Sequence, residues 1–274
     1  MKKISIIILI LCFIVIFTGC SNNQKATVVL KSQNMENIDS SWTNIEKDGV
    51  LRFAVSPEDL PFLLKTSAED YQGYLIDVAK ETAQRLDLKA EFVELKDNPP
   101  VDFIISGNAY IILNGYGYAE HKSDKIKWLS PFLRTQHIIV CHKNIDAKTK
   151  EDLLDYRIGV TEDTMTDFTA QTDSKIDNNS LVKYENEKAS LNAFKRGETD
   201  ALIIDSAYFY YYERNNINNY NIFDEITYSH SYSFGISKES NQLAIKLDEV
   251  LKEMMDDGTL SKLSEKWFYT DLTK

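Results

Sequence analysis

Histidine and cysteine are scarce in this chain of 274 residues, at four and three respectively. No C-x-x-C or H-E-x-x-H spacing joins them, so the sequence is expected to hold neither a zinc site nor any other metal. Positive charge is also in deficit. Lys and Arg total 31 against 42 Asp and Glu, a formal charge of −11. A chain this acidic has no uniform field for polyanions, and nucleic acid is excluded as an expected partner. Low-complexity tracts and fixed-period repeats are absent as well. What is present is 43% hydrophobic residues, with 15 Tyr and 13 Phe, in a length that allows one large or two modest cores. Wholesale disorder does not fit that composition.

The only long apolar run is N-terminal. Lys2 and Lys3 precede Ile4 to Phe17, broken only by Ser5, and Thr18-Gly19-Cys20 ends it. Charged, apolar and small-residue sections in that order read as a secretory signal over residues 1–19. The run falls short of the roughly 20 residues that span a bilayer comfortably. Gly19-Cys20 resembles the lipobox of bacterial lipoproteins, with Phe17 where Leu is usual, and implies lipidation of Cys20. Cleavage before Cys20 would leave a net charge of −13, with 29 basic against 42 acidic residues, and Cys141 as the one cysteine beyond the lipidated one. Cys141 lies in the strand-like run His137 to Cys141 and is expected to be a buried hydrophobe. Residues 20–41, rich in Ser, Asn, Gln and Lys, read as a flexible tether.

From Trp42 onward, strand-length apolar runs alternate with helix-period segments. Val50 to Val55, Ala90 to Leu95 and Val101 to Ile105 read as strands, around a helix near Leu75 to Leu86 with Leu75, Val78, Ala79, Thr82 and Leu86 on one face. A second set follows, with strands at Ile138 to Cys141, Arg157 to Thr161, Leu181 to Tyr184 and Ala201 to Ile204, and a helix near Lys188 to Arg196. Tyr232 to Ile236 reads as another strand, and Asn241 to Phe268 as helix broken at Asp257-Gly258. This alternation predicts an α/β fold with mostly parallel sheets.

Several motifs stand in an ordered series: Gly49 to Val55 before Leu60-Pro61-Phe62; Gly73 to Ala79; Ser130-Pro131-Phe132; Arg157-Ile158-Gly159-Val160; Ala193 to Asp205; Asp257-Gly258-Thr259-Leu260; and Glu265-Lys266-Trp267-Phe268. Taken together they resemble the extracellular solute-binding proteins of the polar amino-acid family, family 3, which serve ABC importers. The resemblance implies a two-lobed periplasmic-binding-protein-like fold with two hinge crossovers. Lobe 1 would hold residues 42–132 plus 232–274, and lobe 2 residues 133–231. It further implies a small polar, amino-acid-like ligand in the cleft, ABC permease and ATPase subunits as partners, a monomer, and attachment to the outer face of the bacterial cell membrane through the N-terminal lipid. No cofactor and no catalytic residue is implied.

Four ligand-binding residues are expected. Asp205 follows an apolar strand and emerges where such folds place ligands. In the family the matching Asp holds the ligand's α-ammonium, and the alternative is a helix N-cap. Thr164 opens a helix at the turn that the family uses for a carboxylate, though Glu162 and Asp163 beside it oppose an anion. Lys122 stands six residues before Trp128, where the family has a carboxylate-clamping Arg. Its ammonium lacks the guanidinium fork, and a solvated surface Lys is the alternative. Phe62 matches a family aromatic that packs on ligand side chains, or belongs to the core. Between Gly107 and Lys122 the chain is longer than the family pattern, and between Leu95 and Asp102 a usual helix is nearly missing. A sensing or degenerate module is one alternative function. A cyclohexadienyl-dehydratase-like enzyme on the same fold is the second.

Overall fold

The computed structural model describes residues 39–56, 61–67, 70–96, 98–113 and 123–274. The signal, Cys20, most of the tether and Lys122 lie outside the described residues. The first described residues stand just before Trp42. The Asp39 carboxylate accepts from the amides of Ser41 and Gln242, at 2.9 and 2.6 Å, and so starts α1 (Ser41–Asp48) against the helix that begins at Asn241.

One five-stranded sheet has the order β4-β1-β5-β12-β6. Its strands are β1 (Val50–Val55), β4 (Lys89–Glu94), β5 (Ile111–Leu113), β6 (Ile126–Trp128) and β12 (Gly235–Ser237). The first three run parallel, and β12 lies antiparallel to both β5 and β6. A small ribbon, β2 (Leu64–Lys65) with β3 (Tyr71–Gln72), precedes α2 (Tyr74–Arg85). As expected from its periodicity, α2 buries Leu75, Val78, Ala79 and Thr82, and Tyr74, Ile76 and Ala83 with them.

The run Val101 to Ile105 is a helix, α3 (Pro100–Ile105), not a strand. Pro100 at the first helical position loses nothing by lacking an N–H, and Asp102 places an acid in the first turn. The apolar residues then pack Phe103 and Ile104 with Ala54, Leu95 and Ile112. A short helix therefore stands close to where sequence reading found one nearly missing, and β5 takes the place of the misread strand.

The second sheet has the order β11-β7-β10-β8-β9. It contains β7 (Leu133–His142), β8 (Ile158–Thr161), β9 (Leu181–Tyr184), β10 (Ala201–Asp205) and β11 (Tyr220–Tyr232). Again three strands are parallel, with β7 antiparallel to β10 and to β11. The chain passes between the sheets twice, from β6 into β7 and from β11 into β12. Along β7 and β10 alternate residues enter different cores: Ile139, Cys141, Ala201 and Ile203 on one side, Ile138, Val140, Leu202 and Ile204 on the other. A sheet covered on both faces needs such unbroken apolar runs. Helices α4 (Met165–Thr172), α5 (Glu187–Lys195) and α6 (Ser206–Glu213) belong to this half.

The tail returns to the first sheet as α7 (Asn241–Asp256) and α8 (Thr259–Phe268), parted at Gly258 with φ 77°. Two motifs prove structural. Trp267 donates its indole N–H to Asp77 at 2.6 Å while Phe268 is fully buried, and Arg157 grips Asp200 through two contacts of 3.1 Å. At the passage between the sheets the amides of Leu129 and Phe132 donate to the carbonyls of Phe234 and Tyr232, at 2.9 and 3.0 Å. Tyr232 closes β11, Gly235 opens β12, and the single strand expected over Tyr232 to Ile236 is interrupted between them.

Candidate ligand-binding site

A cavity of about 770 Å³ opens at the carboxyl ends of β8 and β10. Its lining comes from the start of α4, from the end of β10, from facing positions on β7 and β11 with Tyr232 at the end of β11 among them, and from Phe62 of the first half. Phe62 is held there by a local device. Gly73, at φ 137°, lets the turn approach so closely that a Cβ would stand 2.1 Å from the Phe62 carbonyl oxygen. The amides of Tyr74 and Leu75 then donate to the carbonyls of Pro61 and Phe62, at 2.9 and 3.2 Å. The Phe62 ring stacks on Tyr232 with centroids 4.9 Å apart. It is thus both core and lining.

Asp205 ends β10 and is only 5% exposed. One carboxylate oxygen, Oδ1, accepts from the amides of Ala207 and Tyr208, at 2.8 and 3.3 Å, and caps α6. The other, Oδ2, is buried without a hydrogen-bond partner and stands 3.6 Å from Nε2 of His230. The cap and the cavity-facing group are therefore the same residue, with one oxygen for each.

Thr164 lines the cavity, but its hydroxyl is committed to backbone. It donates to the Thr161 carbonyl at 2.6 Å and accepts the Asp167 amide at 3.4 Å as the N-cap of α4. Asp163, Asp167 and Glu187 share that wall. Burial works against the Asp167 carboxylate, yet Lys183 at 2.7 Å and Gln171 at 2.6 Å outweigh it and hold its pKa below the ordinary value. An anion would meet these acids at the helix start. Among the described residues that line the cavity there is no Lys or Arg.

Sequence reading missed His137 and His230. The antiparallel register sets His137 of β7 opposite Asp205 of β10, and Tyr228 of β11 opposite His137 on its other side. Tyr228, His230 and Tyr232 alternate along β11 and so share one face, which all three present to the cavity. Nε2 of His230 lies 2.8 Å from the Thr135 hydroxyl and 3.0 Å from that of Tyr232. His137 is nearly inaccessible, and burial pushes its pKa down to about 4, with Asp205 opposing and His230 assisting the fall. It is neutral at physiological pH. One donor atom from each of His137, Asp205 and His230 lies within 4.8 Å of the others, a grouping suited to a metal ion. Close spacing along the chain could not reveal this grouping, because three strands assemble it.

Two α/β halves joined by paired crossings, with a polar cavity at the strand ends, define a hinged solute-binding protein. The sequence matches the model of the bacterial extracellular solute-binding proteins, family 3, over residues 51–270, and the chain belongs to that family. It is 28% identical over 239 residues to the L-cystine-binding protein TcyA of Bacillus subtilis, covering 85% of this chain and 86% of that one. With the histidine-binding periplasmic protein of Escherichia coli K12 it shares 24% identity over 230 residues, 81% and 88% of the two chains. Among solved structures it is similar to an ancestral cationic amino acid solute binding protein, with TM-score 0.73, 27% identity, and coverage of 84% of this chain and all of that one. A further structure of an ancestral amino-acid-binding protein, described as a precursor of cyclohexadienyl dehydratase, superposes with TM-score 0.62 at 27% identity, with the same coverage of both chains.

Proposed function

We propose that this chain is the lipid-anchored, extracytoplasmic receptor of an ABC importer, that it captures an amino acid or close analogue through its ammonium group, and that it releases the ligand chemically unchanged. The observation that carries the reading is Asp205, whose Oδ2 is buried, aimed at the cavity and without a hydrogen-bond partner, while Oδ1 is locked by two amides. A buried acceptor left unpaired costs about 1–3 kcal/mol, which a ligand ammonium recovers with a charge-assisted bond. The acids at the α4 start favour the cationic end of a ligand in this half of the site. The carboxylate end is assigned to Lys122 on the sequence resemblance, and Phe62 with Tyr232 would cover the side chain. The names of the relatives, which bind cystine, histidine and cationic amino acids, support the ligand class.

The test is a thermal-shift and calorimetry screen of the purified full-length protein against the twenty amino acids, cystine and common polyamines. A ligand at about 100 times its Kd adds about 2.7 kcal/mol of stability. A saturable response to at least one α-amino compound is expected, and a panel with no response overturns the reading. Recovery of the responding ligand as a converted product would transfer the protein to the dehydratase-like alternative.

A further inference from the structure

We infer that His137, Asp205 and His230 form a binding site for a divalent transition-metal cation of the zinc type on the floor of the cavity. Three observations on the molecule point the same way. The three donor atoms, from three neighbouring strands, lie within 4.8 Å of one another. Asp205 is more than nine-tenths buried, with Oδ2 unpartnered, and Nδ1 of His230 is also buried without a hydrogen-bond partner. The wall beside them carries Asp163, Asp167 and Glu187, an acidic surround for a cation.

The donor set selects the metal. Two imidazoles and one carboxylate suit zinc, nickel or copper, whereas magnesium and calcium take oxygen ligands throughout. Three protein ligands leave a coordination position open toward the cavity, where an exogenous group can complete the sphere. Supporting contacts are in place as well. Two backbone amides fix the Asp205 carboxylate through its other oxygen, while Nε2 of His230, the nitrogen 3.6 Å from Oδ2, would exchange its contacts with the hydroxyls of Thr135 and Tyr232 for the ion. Bonds of about 2.0–2.1 Å in a tetrahedron set donors about 3.4 Å apart. Seating the ion therefore draws the side chains inward by about 1 Å, within the reach of small rotations of the imidazole and carboxylate planes.

The inference shares Asp205 with the amino-acid reading and does not depend on it, because the probe is the metal alone. Tag-free full-length protein, stripped with EDTA and exchanged into chelator-free buffer, is titrated with zinc chloride, and separately with magnesium chloride, by calorimetry. Uptake of one zinc per chain and no saturable magnesium uptake is expected. Asp205→Asn and His230→Gln should each weaken zinc by more than the about 10–100-fold that losing a supporting outer group costs. Asparagine keeps an oxygen for the α6 cap, so Asp205→Asn is a fair test of the ligand and not of folding; the metal-free melting temperature checks this for both variants. Absence of saturable zinc uptake, or unchanged affinity in the His137→Gln/His230→Gln double variant, overturns the site. Substitution by cobalt adds a visible ligand-field spectrum that reports tetrahedral nitrogen and oxygen coordination, and its loss in either single variant is expected. Amino-acid binding in EDTA with no zinc uptake would sink the metal site and leave the transport reading standing; zinc uptake with no amino-acid response would do the reverse.

Discussion

A carboxylate has two oxygens, and in Asp205 they have separate employments: Oδ1 holds the first turn of α6 and Oδ2 faces the cavity. Substitution can therefore separate folding from binding. Asp205→Asn retains a neutral cap acceptor and should alter the melting temperature little, while it weakens the amino-acid ligand by about 1.5–3 kcal/mol in calorimetry. Asp205→Ala loses both, adding a capping loss of about 1 kcal/mol in denaturant unfolding. His137 makes a pH prediction. Its pKa falls from an ordinary 6.5 to about 4 on folding, mainly through burial. The unfolded chain takes up the proton first, so the stability that depends on neutral His137 is whole above pH 6.5 and drains away as pH drops toward 4, by about 3 kcal/mol in total. Urea unfolding in chelator between pH 7 and pH 4 should reveal that slope, and His137→Gln should flatten it. Asp205 was legible in the sequence because an apolar strand ends on it. His137 and His230 were not, since each is interior to a strand and only the register between β7, β10 and β11 brings them to the same place.

Among the elements, those with strong period were read nearly to the residue: α2, β8, β9 and α5. Failures occurred where a short apolar run is ambiguous or a strand is polar. Val101 to Ile105 is five apolar-rich residues that suit either structure, and the Pro99-Pro100 pair decided for helix by supplying a ready first turn. Strand β11 went unseen because Asp224-Glu225 interrupts its apolar pattern, and its pairing with β7 shifts register between Phe223 and Tyr228. The alternation of Tyr228, His230 and Tyr232 was the available signal. The N-terminus of α2 carries a sharper test. Gly73→Ala places a methyl group against the Phe62 carbonyl at a φ that L residues avoid, and a loss of about 1–3 kcal/mol from backbone strain is expected, with more where the turn has to move. Ligand affinity should fall with it, because the displaced turn carries Phe62. An unchanged melting temperature would count against this account of the turn.

For the molecule as a whole, the proposed membrane attachment rests on Cys20, which lies outside the described residues. Cys20→Ala should shift the protein from the membrane pellet to the soluble fraction and abolish incorporation of labelled palmitate in cells, without altering ligand affinity. Persistence in the pellet would remove lipid as the anchor. The two-sheet architecture was legible from the order of its motifs. The mixed strand direction in each sheet was not, because no local pattern records which way the paired crossings run.

The cavity lining is lopsided: apart from Phe62 it belongs to the second sheet and its helices. On the proposed reading an arriving solute settles first on one half, which already holds its polar contacts in place, and the other half then folds over it. Capture becomes a sequence of two kinetic events, an encounter that quickens with concentration and a closure that does not. The dwell time of the solute is then governed by how often the halves part, and a transporter that prises them open gains control over release without touching a single polar contact.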